Sequence, residues 1–285
     1  MVERASGARS ASLPPGLLVL PLLAMIATVF VCPLVWFFFR VFADIGGFGT
    51  LPSLIVAVIT SEVVLRAIVL TLWISLVVTL ICVVVAYPIG FVLSQTRGIG
   101  FTLIIITIAI PYFTSVIVRT YSWMVLLGRN GLVNQILLAT GVINEPLALM
   151  YNQFGIFVGM TYILLPYMVL TLYAVMRGID DNLLRAARGM GASGPAIFWR
   201  IHLPLSLHGV LSGSLIVFIL AIGFFITPAL MGGPADVMIA MLIEREVELT
   251  LNWPVAAVMS LFLLAVTLGL FALYSRFTNL ERMMA

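Results

Sequence analysis

Charged residues are scarce in this chain, and one of the two common cations is missing. Only 9% of the 285 residues are charged, against about a quarter in soluble domains. No lysine occurs, so all 14 basic residues are arginine. The two cysteines, Cys32 and Cys82, lie inside apolar runs, which favours free thiols over a disulfide or a metal pair. This composition excludes an ordinary soluble domain.

The sequence also lacks the motifs of an enzyme. It contains neither a GxxxxGK[ST] phosphate-binding loop nor a GxSxG nucleophile elbow. His202 and His208 have no Cys, Asp or Glu at ligand spacing, so we predict neither catalytic residues nor a metal site. The arginines are scattered along loop ends, which argues against a nucleic-acid partner. No charge is expected deep in an apolar run, which argues against proton-coupled transport.

Long apolar runs fill most of the chain, since 63% of its residues are hydrophobic. A helix crosses the hydrocarbon core of a bilayer in roughly 20 residues. Pro111 and Pro166 are expected to break the third and fourth runs. We predict an all-α membrane protein with a polar tail at 1–12, one transmembrane domain at 13–285, and six spans at 17–39, 65–93, 101–118, 154–176, 207–230 and 254–274.

Arginine distribution predicts the orientation. With both termini in the cytoplasm, nine of the 14 arginines lie on the cytoplasmic side, where positive charge accumulates in membrane proteins. Seven of the 11 acidic residues then lie outside. This orientation places the loop between the fourth and fifth spans in the cytoplasm.

That loop, residues 180–204, is called the polar loop below. Asp180 or Asp181 is expected to cap a helix in which Asp181 and Arg185 form an i,i+4 ion pair. Gly191 is expected to end this helix, so that a side chain at this position would intrude where two helices turn. Ser193-Gly194-Pro195 predicts a second helix start, and Leu203-Pro204 predicts its end. The pattern indicates a helix–glycine–helix element at a membrane surface.

A spaced motif runs through the polar loop, Ala186-Ala187-x3-Gly191-x9-Ile201-x-Leu203-Pro204. It resembles the EAA loop of permease subunits of ATP-binding-cassette importers, except that Arg185 stands at the acidic position of that motif. The resemblance implies a type I importer permease fold. It also implies that the loop docks on an ATPase through Asp181, Arg185, Ala186, Ala187, Gly191, Ala192 and Ser193.

Three further segments, at 118–138, 163–176 and 224–234, resemble the polyamine-type branch of this family, and its first permease subunit in particular. The resemblance implies a bacterial inner membrane location and four partners: an ATPase dimer, a second, non-identical permease, a periplasmic solute-binding protein and the lipid membrane. ATP and Mg²⁺ would bind the ATPase, and no cofactor would bind this chain.

Irregular backbone at membrane depth marks the expected transport path, because helix breaks survive there only inside protein or beside a cavity. Aromatic rings at such breaks can close a path or hold a cation through their π faces. The Thr227 hydroxyl could orient a polar group of the substrate. The candidates are Pro111, Tyr112, Phe224, Phe225, Thr227 and Pro228.

The expected function is therefore a permease subunit that passes a small organic, polyamine-like solute from a periplasmic binding protein into the cytoplasm. An importer of an amino acid, an opine or a related amine is an alternative. A stand-alone channel or membrane scaffold is another, although neither would use an ATPase-docking loop. These motifs do not identify the substrate.

Overall fold

The computed structural model describes the backbone of residues 15–43 and 49–284 and the side chains of 20–43 and 49–276. The predicted tail at 1–12 lies outside the described residues. The chain forms two compact units that divide after Val56. The first contains α1 (Pro15–Ile26), a π-helical turn (Ala27–Val31), α2 (Cys32–Ala43) and the start of α3 (Leu51–Ile59).

Within the described residues, every regular element of the second unit is helical, as the composition predicted. A second π-helical turn, Phe198–His202, joins α10 to α11. The helices are α4 (Glu62–Gln95), α5 (Ile99–Tyr112), α6 (Val116–Leu127), α7 (Leu132–Ala139), α8 (Gln153–Arg177), α9 (Asp181–Gly189), α10 (Gly194–Ile197), α11 (Leu203–Ile222), α12 (Ile226–Met231), α13 (Ile239–Glu248) and α14 (Trp253–Met284).

The described chain has five helical stretches that are long and apolar enough to cross a membrane, and six if one bent pair counts as a span. The bent pair is the third predicted span. Its halves, Ile99–Tyr112 and Val116–Ala139, meet at 98°, whereas the sequence predicted one run at 101–118. α5 ends in two hydrogen bonds between residues three positions apart. The Phe113 N–H donates to the Ile110 carbonyl (3.2 Å), and the Thr114 N–H donates to the Pro111 carbonyl (3.1 Å). Pro111 therefore lies at the helix end rather than mid-span.

Two prolines that the sequence treated as breaks lie within continuous helical segments. α8 runs unbroken through Pro166, which is buried. The polar loop does not end at Leu203-Pro204, because α10, the π-turn and α11 form one helical stretch from Gly194 to Ile222. The last helix is also longer than expected, since α14 continues past residue 274 to Met284.

Both π-turns directly precede an X-Pro pair, which explains how the helices tolerate Pro33 and Pro204. The N–H of Cys32 bonds the carbonyl of Ala27, and the N–H of Leu203 bonds the carbonyl of Phe198, each five residues back. In a regular α-helix a proline ring would clash with the carbonyl four residues before it. A wider turn before the proline relieves this clash, whereas α4 and α8 carry Pro88 and Pro166 without one.

The core of the second unit is the bundle of α4, α8 and α11. Most of its fully buried side chains are apolar, and small residues let the helix backbones approach, as is typical of membrane helices. A Cβ added at Gly90 of α4 would lie 3.1 Å from the Leu172 Cβ, and one at Gly209 of α11 would lie 2.9 Å from the Val175 Cβ. The buried core side chains include Ile74, Val78, Ile156, Met160, Leu164, Met168, Leu172 and Val217.

Candidate functional site

α9 begins and ends with local backbone caps that the sequence encodes. At its start the Asp180 carboxylate accepts a hydrogen bond from the Asn182 N–H at 2.8 Å. At its end Gly191 adopts φ +84° and donates to the Arg188 carbonyl, while the next N–H, of Ala192, donates to the Ala187 carbonyl, both at 3.0 Å. This is a Schellman cap, which satisfies two carbonyls of the last helical turn. The predicted helix end at Gly191 is confirmed.

The space around Gly191 differs from the expectation. A Cβ at this position would meet no atom of the described chain within 4 Å, so a side chain would not collide with the second helix. The requirement for glycine comes instead from the left-handed backbone, which costs other residues roughly 1–2 kcal/mol. The turn is therefore open to solvent or to another subunit.

After the turn, α10 and the π-turn fasten the polar loop to α4 through an aromatic cluster. The ring of Phe198 lies 6.0 Å from Tyr87 and 5.5 Å from Phe91, and the His202 ring lies 4.8 Å from Phe91. The Tyr87 hydroxyl also hydrogen-bonds Ser206 at 2.8 Å. The second half of the polar loop is thus continuous with α11 and packed against α4.

A polar cleft of about 530 Å³ lies between the polar loop and the ends of α4 and α8. Four arginines and two carboxylates line it. The expected ion pair between Asp181 and Arg185 is replaced, since Asp181 Oδ2 lies 3.6 Å from Nη2 of Arg97 in the α4–α5 turn. The charged lining residues are Arg97, Arg177, Asp180, Asp181, Arg185 and Arg188.

The remaining predicted docking residues differ in burial: one is buried, and the others are exposed or half-buried. Ala187 is buried at 4% exposure and anchors α9. Ala186 and Ser193 are exposed and Ala192 is half-buried. Met190, which the sequence analysis did not select, is 83% exposed at the end of α9. The exposed surface of the loop therefore combines arginine with an apolar tip.

At the other end of α11 the chain breaks at Gly223, Phe224 and Phe225, called the α11–α12 break below. The backbone of Phe224 and Phe225 is not helical, and φ of Phe225 is −129°, as the sequence predicted for this stretch. Phe224 packs against the core, whereas Phe225 is 40% exposed. The two rings therefore occupy different surroundings.

Thr227 and Pro228 follow the break and are buried. The Thr227 side chain has no solvent exposure, and its hydroxyl hydrogen-bonds the Thr120 hydroxyl of α6 at 3.1 Å. A Cβ at Gly159 of α8 would lie 2.7 Å from the Thr227 methyl. The expectation that the Thr227 hydroxyl faces a cavity is not met in this conformation, where the residue joins α12 to α6 and α8.

The other path candidates, Pro111 and Tyr112, lie where α5 ends. The Tyr112 ring is 50% exposed and makes an edge contact with Tyr167 of α8, with ring centroids 5.6 Å apart. Phe113 beside it is 86% exposed. This group of rings lies at the 98° bend.

Sequence reasoning missed Arg119 of α6. The structure buries it at 9% exposure, and its Nε has no hydrogen-bond partner among the described residues. A buried cation in a membrane segment is costly and is commonly functional. The available signal was its place four residues into the otherwise uncharged α6.

The connector between α6 and α8 is held by a second residue that the sequence analysis did not identify. Asn134 of α7 is fully buried. Its Nδ2 donates to the Gly128 and Leu147 carbonyls at 3.2 and 3.0 Å, and its Oδ1 accepts from the Leu147 N–H at 2.9 Å. Asn134 therefore fixes the position of α7.

Comparison with known proteins gives matches over most of the chain. Residues 79–282 match the family described as binding-protein-dependent transport system inner membrane component. The spermidine/putrescine transport system permease protein PotB of Haemophilus influenzae is 31% identical over 202 residues, 71% of each chain. PotB of Escherichia coli K12 is 34% identical over 199 residues, 70% of this chain and 72% of the relative.

Two solved structures share the fold at low sequence identity. A bacterial ABC transporter involved in the import of the acidic polysaccharide alginate has a TM-score of 0.69 at 16% identity, covering 93% of this chain and 94% of that chain. An inward-facing MetNI methionine ABC transporter has a TM-score of 0.60 at 18% identity, covering 77% and 98%. These likenesses concern the fold alone.

Proposed function

Because the chain belongs to the family of binding-protein-dependent transport system inner membrane components, we propose that it is one permease subunit of an ATP-driven importer. Its substrate is a small organic, polyamine-like solute. The solute passes from a periplasmic binding protein through the membrane into the cytoplasm. The chain has no phosphate-binding loop, so ATP and Mg²⁺ bind a separate ATPase dimer.

The observation that carries this proposal is the continuous helical stretch from Gly194 to Ile222. One end carries the polar loop, and the other ends at the α11–α12 break beside exposed Phe225. A displacement of the polar loop by a docked ATPase would therefore be transmitted along one helix to the break. A stand-alone channel has no use for such a link.

The polyamine-like substrate is supported by the relatives at 31 and 34% identity, which are described as spermidine/putrescine permeases. Exposed aromatic rings at the bend and the break, Tyr112, Phe113 and Phe225, suit an organic cation, since π faces attract alkylammonium groups. An amino acid, an opine or a related amine is the alternative solute. Thr227 remains a path candidate only for a conformation other than this one.

The partners follow from the same proposal. The polar loop docks on the ATPase dimer, a second, non-identical permease completes the path, and the periplasmic protein delivers the solute. The arginine distribution supports an orientation with both termini and the polar loop in the cytoplasm. Co-purification of the neighbouring subunits should give one copy of each permease.

The test is uptake by proteoliposomes that contain this chain, its partner permease and the ATPase, with binding protein added on the side opposite the polar loop. We expect radiolabelled spermidine or putrescine to accumulate only with both ATP and binding protein. Competition by unlabelled amino acids or opines, without competition by polyamines, would assign the alternative solute. Solute flux that needs neither ATP nor binding protein would identify a channel instead.

A further inference from the structure

The polar cleft holds more positive charge than the described chain neutralises. Its two carboxylates are both engaged, since Asp180 caps α9 and Asp181 lies 3.6 Å from Arg97. Arg177 donates to the Ser94 carbonyl at 3.1 Å. Arg185 and Arg188 line the same cleft and have no carboxylate partner within 4 Å among the described residues.

These two arginines form one exposed cationic edge. They lie three residues apart on α9, so both side chains leave the helix on the same side, and both are exposed. Ala187 between them is buried, which fixes the face that α9 presents outward. The Schellman cap at Gly191 holds the end of the helix. The edge is therefore positioned before any partner binds.

We propose that Arg185 and Arg188 bind carboxylates on the docking surface of the ATPase, an inference that rests on the proposed function. A guanidinium binds a carboxylate through two parallel hydrogen bonds, which gives direction as well as charge attraction. Arg185 stands where the related motif has an acidic residue, so the charge of this contact is inverted. The inversion selects for an ATPase with acidic residues at the matching position and against one with basic residues there.

The apolar tip of the loop favours a protein over a lipid headgroup as the occupant. Met190 is 83% exposed and Leu183 is 52% exposed on the same short helix and its cap. Methionine and arginine are both enriched in protein interfaces. A headgroup would use the cationic edge but would leave the turn and its open space at Gly191 without a role.

The experiment measures the affinity of the purified ATPase for the permease pair in detergent, at low and high salt. Arg185→Glu should weaken binding by roughly tenfold or more, because like charges then face each other. Arg185→Gln should have a smaller effect and Arg185→Lys the smallest. The matched control is Arg276→Glu in the last third of α14, which makes the same charge change on an exposed arginine outside the polar loop. We expect it to bind normally.

Salt provides the second readout. Wild-type affinity should fall with ionic strength, and this dependence should shrink or reverse in Arg185→Glu, since an attractive charge pair has become a repulsive one that salt screens. An acidic-to-arginine change on the ATPase surface should restore binding to Arg185→Glu. Equal affinity and equal salt dependence for wild type and Arg185→Glu would overturn the proposal.

Two further outcomes separate the possible failures. If Arg185→Glu binds the ATPase normally in detergent but loses activity only in vesicles of anionic lipid, the arginines serve the membrane and the proposal is wrong. If the wild-type pair binds no ATPase at any salt concentration, the importer function itself fails. A normal gel-filtration profile for each variant, together with retained partner permease, shows that the fold is intact.

Discussion

α11 is held differently at its two ends. At its N-terminal end the polar loop is exposed and charged, and it is fastened by local caps and an aromatic cluster on α4. At its C-terminal end the α11–α12 break is followed by buried residues that pack against α6 and α8. The first end is exposed, whereas the second is a packed joint. Under the proposed function, a shift of the first end by a docked ATPase is converted into repacking at the second.

The largest effect is expected at the turn of the polar loop. Gly191→Val should abolish most uptake without lowering membrane insertion, because a β-branched residue is an outlier at φ +84°. Gly189→Val is the matched control, since a Cβ at Gly189 also meets nothing within 4 Å but no left-handed backbone is required there. Uptake and membrane content are measured together. Equal loss of uptake in both variants would attribute the effect to bulk rather than to backbone conformation.

The next effect is expected at the packed joint. Gly159→Ala should destabilise the chain by about 1–3 kcal/mol, which is typical of overpacking. Its Cβ would lie 2.7 Å from both the Thr227 methyl and the Met231 sulfur. Gly269→Ala on α14 has open space and serves as the control. Thermal unfolding in detergent should separate the two variants, and identical melting temperatures would mean that α8 and α12 are not in close contact.

A smaller effect is expected from the hydrogen bond across this joint. Thr227→Val should cost about 1 kcal/mol, since it removes one buried hydrogen bond while preserving shape. A double-mutant cycle with Thr120→Val should show coupling between the two positions. Thr267→Val is the control, because the Thr267 hydroxyl bonds only within its own helix in the described structure.

Transport kinetics decide whether Thr227 also contacts substrate. A packing role leaves the KM for solute unchanged in Thr227→Val, whereas a KM increase without loss of stability would place the hydroxyl in the transport path. This measurement therefore tests whether the C-terminal end of α11 is only a packed joint or is also part of the transport path.

Features encoded by neighbouring residues could be predicted from the sequence. A few consecutive residues determine the helix cap at Asp180, the helix end at Gly191 and the α11–α12 break before Pro228. The all-helical membrane architecture could be predicted because apolar runs of sufficient length have few alternatives in lipid, whereas the permease fold was implied by the resemblance of the polar loop. Local chemistry therefore yielded the architecture and the position of the polar loop.

Features set by distant residues could not be predicted. The partner of Asp181 is Arg97, 84 positions earlier in the chain, and only the packing of the α4–α5 turn against α9 brings them together. Thr227 meets Thr120 across two helices. The burial of Arg119 likewise depends on how α6 folds back after the 98° bend. Sequence spacing contains none of these distances.

The central link in the proposed function is between the state of the polar loop and the α11–α12 break. The direct measurement is thiol labelling of Phe225→Cys in a background lacking Cys32 and Cys82, because Phe225 is 40% exposed. In reconstituted importer the labelling rate should differ between the nucleotide-free and ATP-trapped states, and Gly191→Val should remove this difference. An identical nucleotide response with and without Gly191→Val would contradict the claim.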